Sequence, residues 1–96
     1  MAEPLFRVHL WVTGRVQGVG FRAFVAQSAG FIGVNGWVRN VSLDTVETIA
    51  EGSRVQIDQF IHAVKTGPRS SRVDECRMEE ETPSSEFISF EIRSSR

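Results

Sequence analysis

Residues 6–22 read FRVHLWVTGRVQGVGFR, and the residue pattern changes twice within this stretch. Apolar residues occupy every second position up to Val12, which is typical of a half-buried strand. A glycine-rich segment follows, with glycines at positions 14, 18 and 20. From Phe21 the apolar residues recur at helical spacing until Gly33. The stretch therefore predicts a strand, a glycine-rich loop and a helix in direct succession.

The middle of the chain predicts a hairpin followed by a second helix. Residues 36–41 and 45–51 are rich in β-branched and aromatic residues, and the short link between them indicates antiparallel pairing. Ser53 and Gln56 have the spacing of a capping box, and an apolar stripe at helical spacing then continues to Gly67.

The last part of the chain predicts strands over residues 72–79 and 87–93, joined by an acidic loop that contains a proline. The predicted order is βαββαβ, with room for a split or extra strand, and this order is the ferredoxin-like arrangement. We expect an α+β fold, an α/β sandwich in which two helices cover one face of an antiparallel four- to five-stranded sheet. We expect residues 1–96 to form a single domain, with Trp11 and Arg39 on the open face.

Composition limits the classes of partner and location. The chain has 96 residues and a formal net charge of −1, which gives no reason to expect a nucleic acid or a membrane as partner. The single cysteine, Cys76, excludes an internal disulfide and alternates with strand residues, so we interpret it as a core residue in a cytoplasmic protein. His9 and His62 have no second ligand at metal spacing, so we predict no metal and no cofactor.

The glycine-rich loop favours a small anion site. Its glycines allow successive backbone N–H groups to converge on one oxyanion, and Arg22 adds a two-pronged donor at the start of a helix. The loop lacks the lysine and the serine or threonine of a nucleotide-triphosphate loop, and the chain is too short for a dinucleotide-binding fold. The local sequence leaves a second interpretation open, a tight turn with a solvated Arg22.

Asn40 is the second polar candidate. An asparagine is a poor choice at the end of a β-branched strand, and a ferredoxin-like sheet could place its side chain beside the glycine-rich loop. An asparagine that starts the turn at 42–44 fits the local sequence equally well.

The chain resembles the acylphosphatases. Residues 14–22 match the first signature of that family at every position, and residues 33–40 match the second together with Val46-Glu47 and Glu51-Gly52. The resemblance extends from the first strand to residues 90–93.

This resemblance implies metal-independent hydrolysis of the carboxyl–phosphate bond of a small-molecule acyl phosphate. It also implies that Asn40 holds the attacking water while Arg22 binds the phosphoryl group. Backbone amides of the loop would assist Arg22, from residues Arg15, Val16, Gln17, Gly18 and Val19. We expect a monomer. The alternative is a non-catalytic anion-binding or accessory module, and an RNA-binding fold would need more aromatic and basic residues on the central strands.

One departure from the family pattern lies in the hairpin. The family usually has an Asp-Gly or Asn-Gly turn, whereas Asp44 stands here where the glycine is expected. The hairpin is therefore predicted to be looser or to have a turn of another type, which affects where Asn40 lies.

Overall fold

A computed structural model describes residues 4–94. Its elements follow the predicted order, including the extra strand near the end of the chain. They are β1 (Phe6–Arg15), α1 (Phe21–Ile32), β2 (Asn35–Ser42), β3 (Thr45–Gly52), α2 (Arg54–Thr66), β4 (Arg72–Glu81) and β5 (Phe90–Ile92). The ferredoxin-like α+β fold is confirmed.

The five strands form one sheet in the order β4-β1-β3-β2-β5. The first four strands pair antiparallel as predicted, but β5 runs parallel to β2, so the sheet is mixed. After β4, at one edge of the sheet, the chain crosses to the opposite edge and forms β5 beside β2. The N–H of Gly36 donates to the carbonyl of Ser89, and the N–H of Arg93 donates to the carbonyl of Val38. The predicted strand 87–93 is therefore shorter than expected, and its direction is set by the crossing.

Both helices pack on the same face of the sheet. α1 buries Phe21, Val25 and Ala29, and α2 buries Ile57, Phe60 and Val64. The sheet contributes alternate residues such as Leu10, Val12 and Val38 to this layer, as the period-two pattern predicts. The capping box at the start of α2 is formed through both of its reciprocal hydrogen bonds, between Ser53 and Gln56.

The opposite face of the sheet carries an ion-pair network around His9. The two ring nitrogens of His9 lie 2.6 Å from Glu47 and 2.7 Å from Glu81, and Arg39 contacts Glu47 at 2.7 Å. Burial alone would raise the pKa of Glu47, but the hydrogen bonds and charges of His9 and Arg39 hold that pKa below its ordinary value. His9 thus serves to connect β1 with its two neighbouring strands.

Cys76 packs against the core from β4 and is partly buried. Burial raises the pKa of its thiol, which keeps the sulfur in the poorly nucleophilic protonated form. The side chain therefore fills space rather than offering a reactive group.

Gly36 of β2 lies close to the backbone of β3. Its φ is 152°, and a Cβ atom at this position would overlap the backbone carbonyl of Ile49. We expect Gly36→Ala to lower the free energy of unfolding by about 2–4 kcal/mol, because both the backbone angle and the contact become unfavourable. Denaturant unfolding measures this change.

The matched control is Gly30→Ala on α1. Within residues 4–94, no atom beyond the adjacent residues and the backbone of α1 lies within 4 Å of a Cβ built at Gly30, and the position is exposed within a helix. This substitution is expected to raise the free energy of unfolding by about 0.5–1 kcal/mol. Equal unfolding midpoints for the two variants would contradict the role given to Gly36.

Candidate active site

A depression of about 250 Å³ opens where the glycine-rich loop meets the start of α1 and the end of β2. Three parts of the chain that are distant in sequence surround it. The lining residues are Val16, Gln17, Gly18, Gly20, Phe21, Arg22, Ala23, Asn40 and Ile92. The structure therefore brings together both predicted polar side chains and three of the predicted loop residues.

Two predicted loop residues lie outside the lining of the depression. Arg15 is the last residue of β1, is exposed and lies opposite Arg72 in the antiparallel pairing of β1 with β4. Val19 packs its side chain against the hydrophobic core, as does the fully buried Val16. Val16 and Val19 therefore attach the loop to the core through their side chains.

The start of α1 is prepared for an anion. Gly20 is the N-cap residue and adopts a left-handed conformation with φ of 74°, which turns the loop sharply into the helix. Within residues 4–94, no side-chain hydrogen bond caps this end of α1, and its first turn contains no acidic residue. The unpaired N–H groups and the positive end of the helix dipole therefore lie at the depression.

Arg22 supplies the positive charge of the site. Among the described residues that line the depression, it is the only one with a charged side chain. Within residues 4–94, no carboxylate forms an ion pair with Arg22, unlike Arg7 and Arg39 on the open face. Its guanidinium is thus available for a ligand with several oxygen atoms, such as a phosphoryl group.

Asn40 projects from the helix-facing side of β2. Its partner across the strand pair is Val46, and alternation places it on the same side as Gly36 and Val38. Its Oδ1 atom is buried and has no hydrogen-bond partner within residues 4–94. An unpaired buried acceptor costs about 1–3 kcal/mol, so this position is better suited to a bound ligand or water than to stability.

The β2–β3 turn differs from a glycine-containing turn. Ser85 is the only non-glycine residue with positive φ within residues 4–94, so Asp44 does not adopt the left-handed conformation of the expected glycine. The pairing register instead shifts between Asn40 and Ser42, which leaves a bulge at Val41. The Asp44 carboxylate accepts hydrogen bonds from Ser42 and Thr45 and so stabilises the turn locally.

Ile92 is a lining residue that sequence reasoning missed. It lies on β5 opposite Val38, and about half of its surface is exposed. The alternation of Ile88, Phe90 and Ile92 identified a strand, but it did not reveal which edge of the sheet this strand joins. The parallel pairing with β2 decides this, because it carries the end of β5 toward the same end of the sheet as Asn40.

The comparison with known proteins is direct. The acylphosphatase family model matches residues 8–92. The chain belongs to the acylphosphatase family. Two acylphosphatases illustrate the similarity: that of Syntrophobacter fumaroxidans is 40% identical over 86 residues, covering 90% of this chain and 89% of that one. The acylphosphatase of Koribacter versatilis is 47% identical over 81 residues, which cover 84% of this chain and 74% of that one.

Solved structures agree with this assignment to the acylphosphatase family. The acylphosphatase of Bacillus subtilis superimposes with a TM-score of 0.87 at 36% identity, covering 92% of this chain and 98% of that chain. Full-length HypF, in a phosphate- and nucleotide-bound form, superimposes with a TM-score of 0.88 at 31% identity. That match covers 99% of this chain but 13% of HypF.

Two further findings concern residues 4–94 as a whole. They contain no group of three or more histidine, cysteine or acidic residues placed to hold a metal ion. Neither helix in this part of the acylphosphatase fold is long and apolar enough to cross a membrane.

Proposed function

We propose that this protein hydrolyses the carboxyl–phosphate bond of acyl phosphates and releases a carboxylate and inorganic phosphate. The observation that carries the proposal is the meeting of Arg22 and Asn40 in one depression, beside the uncapped start of α1. A cation, a set of N–H donors and a buried acceptor suit a phosphoryl group and an attacking water.

In this mechanism Arg22 and the loop amides bind the phosphoryl oxygens. Val16, Gln17 and Gly18 line the depression. Their backbone N–H groups, with those of Arg15 and Val19 at the two ends of the loop, are proposed to donate to the phosphoryl oxygens together with the guanidinium. Charge is spread over the equatorial oxygens in the transition state of phosphoryl transfer. Fixed donors that surround these oxygens therefore stabilise the transition state without having to reorient.

Asn40 is proposed to hold the nucleophilic water. Its Oδ1 atom accepts a hydrogen bond from the water, which leaves an oxygen lone pair to attack phosphorus on the side opposite the acyl oxygen. The new P–O bond forms as the bond to the carboxylate oxygen breaks, and the proton of the water passes to the phosphate product. The conjugate acid of the leaving carboxylate has a pKa of roughly 4, so no general acid is required.

The proposal also covers metal independence, a monomeric state and a cytoplasmic location. A guanidinium and helix N–H groups are proposed to supply the charge stabilisation for which other phosphoryl-transfer sites use a metal ion. The single cysteine, which cannot form an internal disulfide, supports the cytoplasmic location. Light scattering of the purified protein would measure its mass in solution.

The test is hydrolysis of acetyl or benzoyl phosphate with and without a chelator. We expect the same rate in both conditions and competitive inhibition by inorganic phosphate. Alkyl phosphates should be hydrolysed negligibly, because an alkoxide is a far more basic leaving group than a carboxylate. A rate that vanishes with the chelator, or equal turnover of alkyl phosphates, would contradict the proposal.

The alternative is a module that binds an acyl or carbamoyl phosphate without hydrolysing it. It is favoured by the similarity to a small part of HypF, since such a domain can belong to a much larger protein. Phosphate binding by calorimetry, combined with no turnover of any acyl phosphate, would support this alternative.

A further inference from the structure

We propose that Gln17 is a positioning residue whose side-chain amide sets the distance between the phosphate-binding loop and Asn40. This inference rests on the proposed function, because it assigns a separate role within the same reaction. It goes beyond the contribution of the Gln17 backbone amide to phosphate binding.

The contacts of Gln17 point to this role. Its Nε2 atom donates to the backbone carbonyls of Ser42 and of Thr45, the latter at 3.3 Å. Ser42 and Thr45 face each other where β2 and β3 join, so the amide spans the base of the turn. Both neighbours are carbonyl oxygens, which only accept hydrogen bonds, so the NH₂ end of the amide must face them and uses its two hydrogens.

The link connects two parts of the site that the sheet holds only indirectly. The loop follows β1 and Asn40 lies on β2, whereas β3 separates these strands in the sheet. Gln17 bridges this separation through side-chain contacts, and Gly14 supports it by donating its N–H to the carbonyl of Asp44 at 3.0 Å. The turn is therefore attached to the end of β1 and to the loop through three backbone carbonyls, those of Ser42, Asp44 and Thr45.

The unusual turn makes this link more important. Asn40 is followed at once by the bulge at Val41, where the pairing register shifts. Ser42, Leu43 and Asp44 are all exposed, so the hydrogen bonds of the Asp44 carboxylate compete with water. Without the Gln17 contacts, the bulged strand end and the hydrogen bond from Gly14 to Asp44 would be left to hold Asn40 at a fixed distance from the loop.

A small displacement of Asn40 is enough to slow the reaction. In-line attack requires the water to lie about 3–3.5 Å from phosphorus in the correct direction, and an error of about 1 Å can lower a rate about 100-fold. Phosphate binding depends on Arg22 and the loop and should tolerate the same displacement. Gln17 is thus expected to affect kcat more than the affinity for phosphate.

The experiment compares Gln17→Met and Gln17→Glu with the wild type. Methionine keeps the length and removes the donor, and we expect kcat for benzoyl phosphate to fall about tenfold. Glutamate places carboxylate oxygens, which only accept hydrogen bonds, against two carbonyl oxygens. We therefore expect kcat for benzoyl phosphate to fall about 100-fold. The inhibition constant of inorganic phosphate should stay within about threefold for Gln17→Met. Gln59→Met, at an exposed position of α2, is the matched control and should leave kcat unchanged.

A double-mutant cycle separates positioning from a merely structural role. In the Asn40→Ala background, Gln17→Met should lower kcat by less than about twofold, because its effect acts through Asn40. If the loss of kcat in the double variant equalled the product of the losses in the two single variants, the proposal would be overturned. Loss of phosphate affinity at constant kcat in Gln17→Met would also overturn the proposal, because it would indicate that the side chain contacts phosphate directly. Lower stability with unchanged kcat would overturn it as well.

Hydrogen exchange provides a readout that does not depend on activity. The backbone amides of residues 41–45 should exchange faster in Gln17→Met than in the wild type and in Gln59→Met. If the wild type hydrolysed no acyl phosphate, the proposed function would fail by that result alone. Unchanged exchange at the turn would overturn the Gln17 link itself.

Discussion

Arg22→Ala is expected to lower kcat/KM for acetyl phosphate by about a thousandfold or more and to remove inhibition by inorganic phosphate. The guanidinium is the only charged side chain among the described residues that line the depression. Its loss leaves the phosphoryl group with backbone N–H donors alone, so both ground-state binding and transition-state stabilisation weaken. A contribution of this size is typical of an arginine that contacts a transferring phosphoryl group.

Three further variants sharpen this experiment. Arg22→Lys keeps the charge but lacks the planar fork, and we expect it to recover only a small part of the rate. Arg15→Ala should lower kcat/KM by less than about tenfold, because Arg15 is exposed outside the depression and keeps its backbone amide in the variant. Arg69→Ala, at an exposed position after α2, should have no effect. A loss for Arg15→Ala that equals the loss for Arg22→Ala would contradict the assignment.

Asn40→Ala is expected to lower kcat by about 100- to 1,000-fold while the inhibition constant of inorganic phosphate changes by less than about threefold. The amide is proposed to hold the attacking water, which is required for the chemical step but not for phosphate binding. Steady-state kinetics with benzoyl phosphate and inhibition by inorganic phosphate measure the two effects separately. A parallel loss of phosphate affinity would indicate that Asn40 binds the phosphoryl group instead.

The same substitution should increase stability. Oδ1 of Asn40 is buried without a partner within residues 4–94, so its removal is expected to raise the free energy of unfolding by about 0.5–1 kcal/mol. Asn35→Ala is the control at the other end of β2. Asn35 donates to the carbonyl of Phe87 at 3.4 Å, so its loss should lower stability by about 1 kcal/mol and leave kcat unchanged. A less stable Asn40→Ala protein would contradict the interpretation of the buried oxygen.

Local patterns were enough to predict most of the fold. The alternation from Phe6 to Val12 and the helical stripes of α1 and α2 report which side chains leave water, and burial is the main force that selects these elements. The capping box at Ser53 could be predicted because all of its hydrogen bonds lie within four residues. The direction of β5 could not be predicted, since a three-residue strand has no local feature that selects one edge or one orientation.

The residues of the candidate site also divide into those that local sequence predicts and those that depend on tertiary contacts. The glycine-rich loop and Arg22 were recognised from one continuous stretch, in which glycine conformations and a helix start act over a few residues. The contribution of Ile92 depends on a pairing between β5 and β2, and no residue near Ile92 in the sequence signals it. The proposed role of Gln17 likewise depends on contacts with Ser42 and Thr45, which lie more than twenty positions away.

The sequence by itself determined a βαββαβ chain with a glycine-rich loop between its first strand and first helix, because these properties follow from local burial and backbone freedom. The tertiary structure decided that Asn40 lines the same depression as the loop and that Gln17 joins the loop to the turn at Asp44. Within residues 4–94 it also left Oδ1 of Asn40 without a partner and the bulged turn without left-handed residues. These relations depend on strand register and on long-range contacts between carbonyls and side chains, which arise only when the sheet has formed.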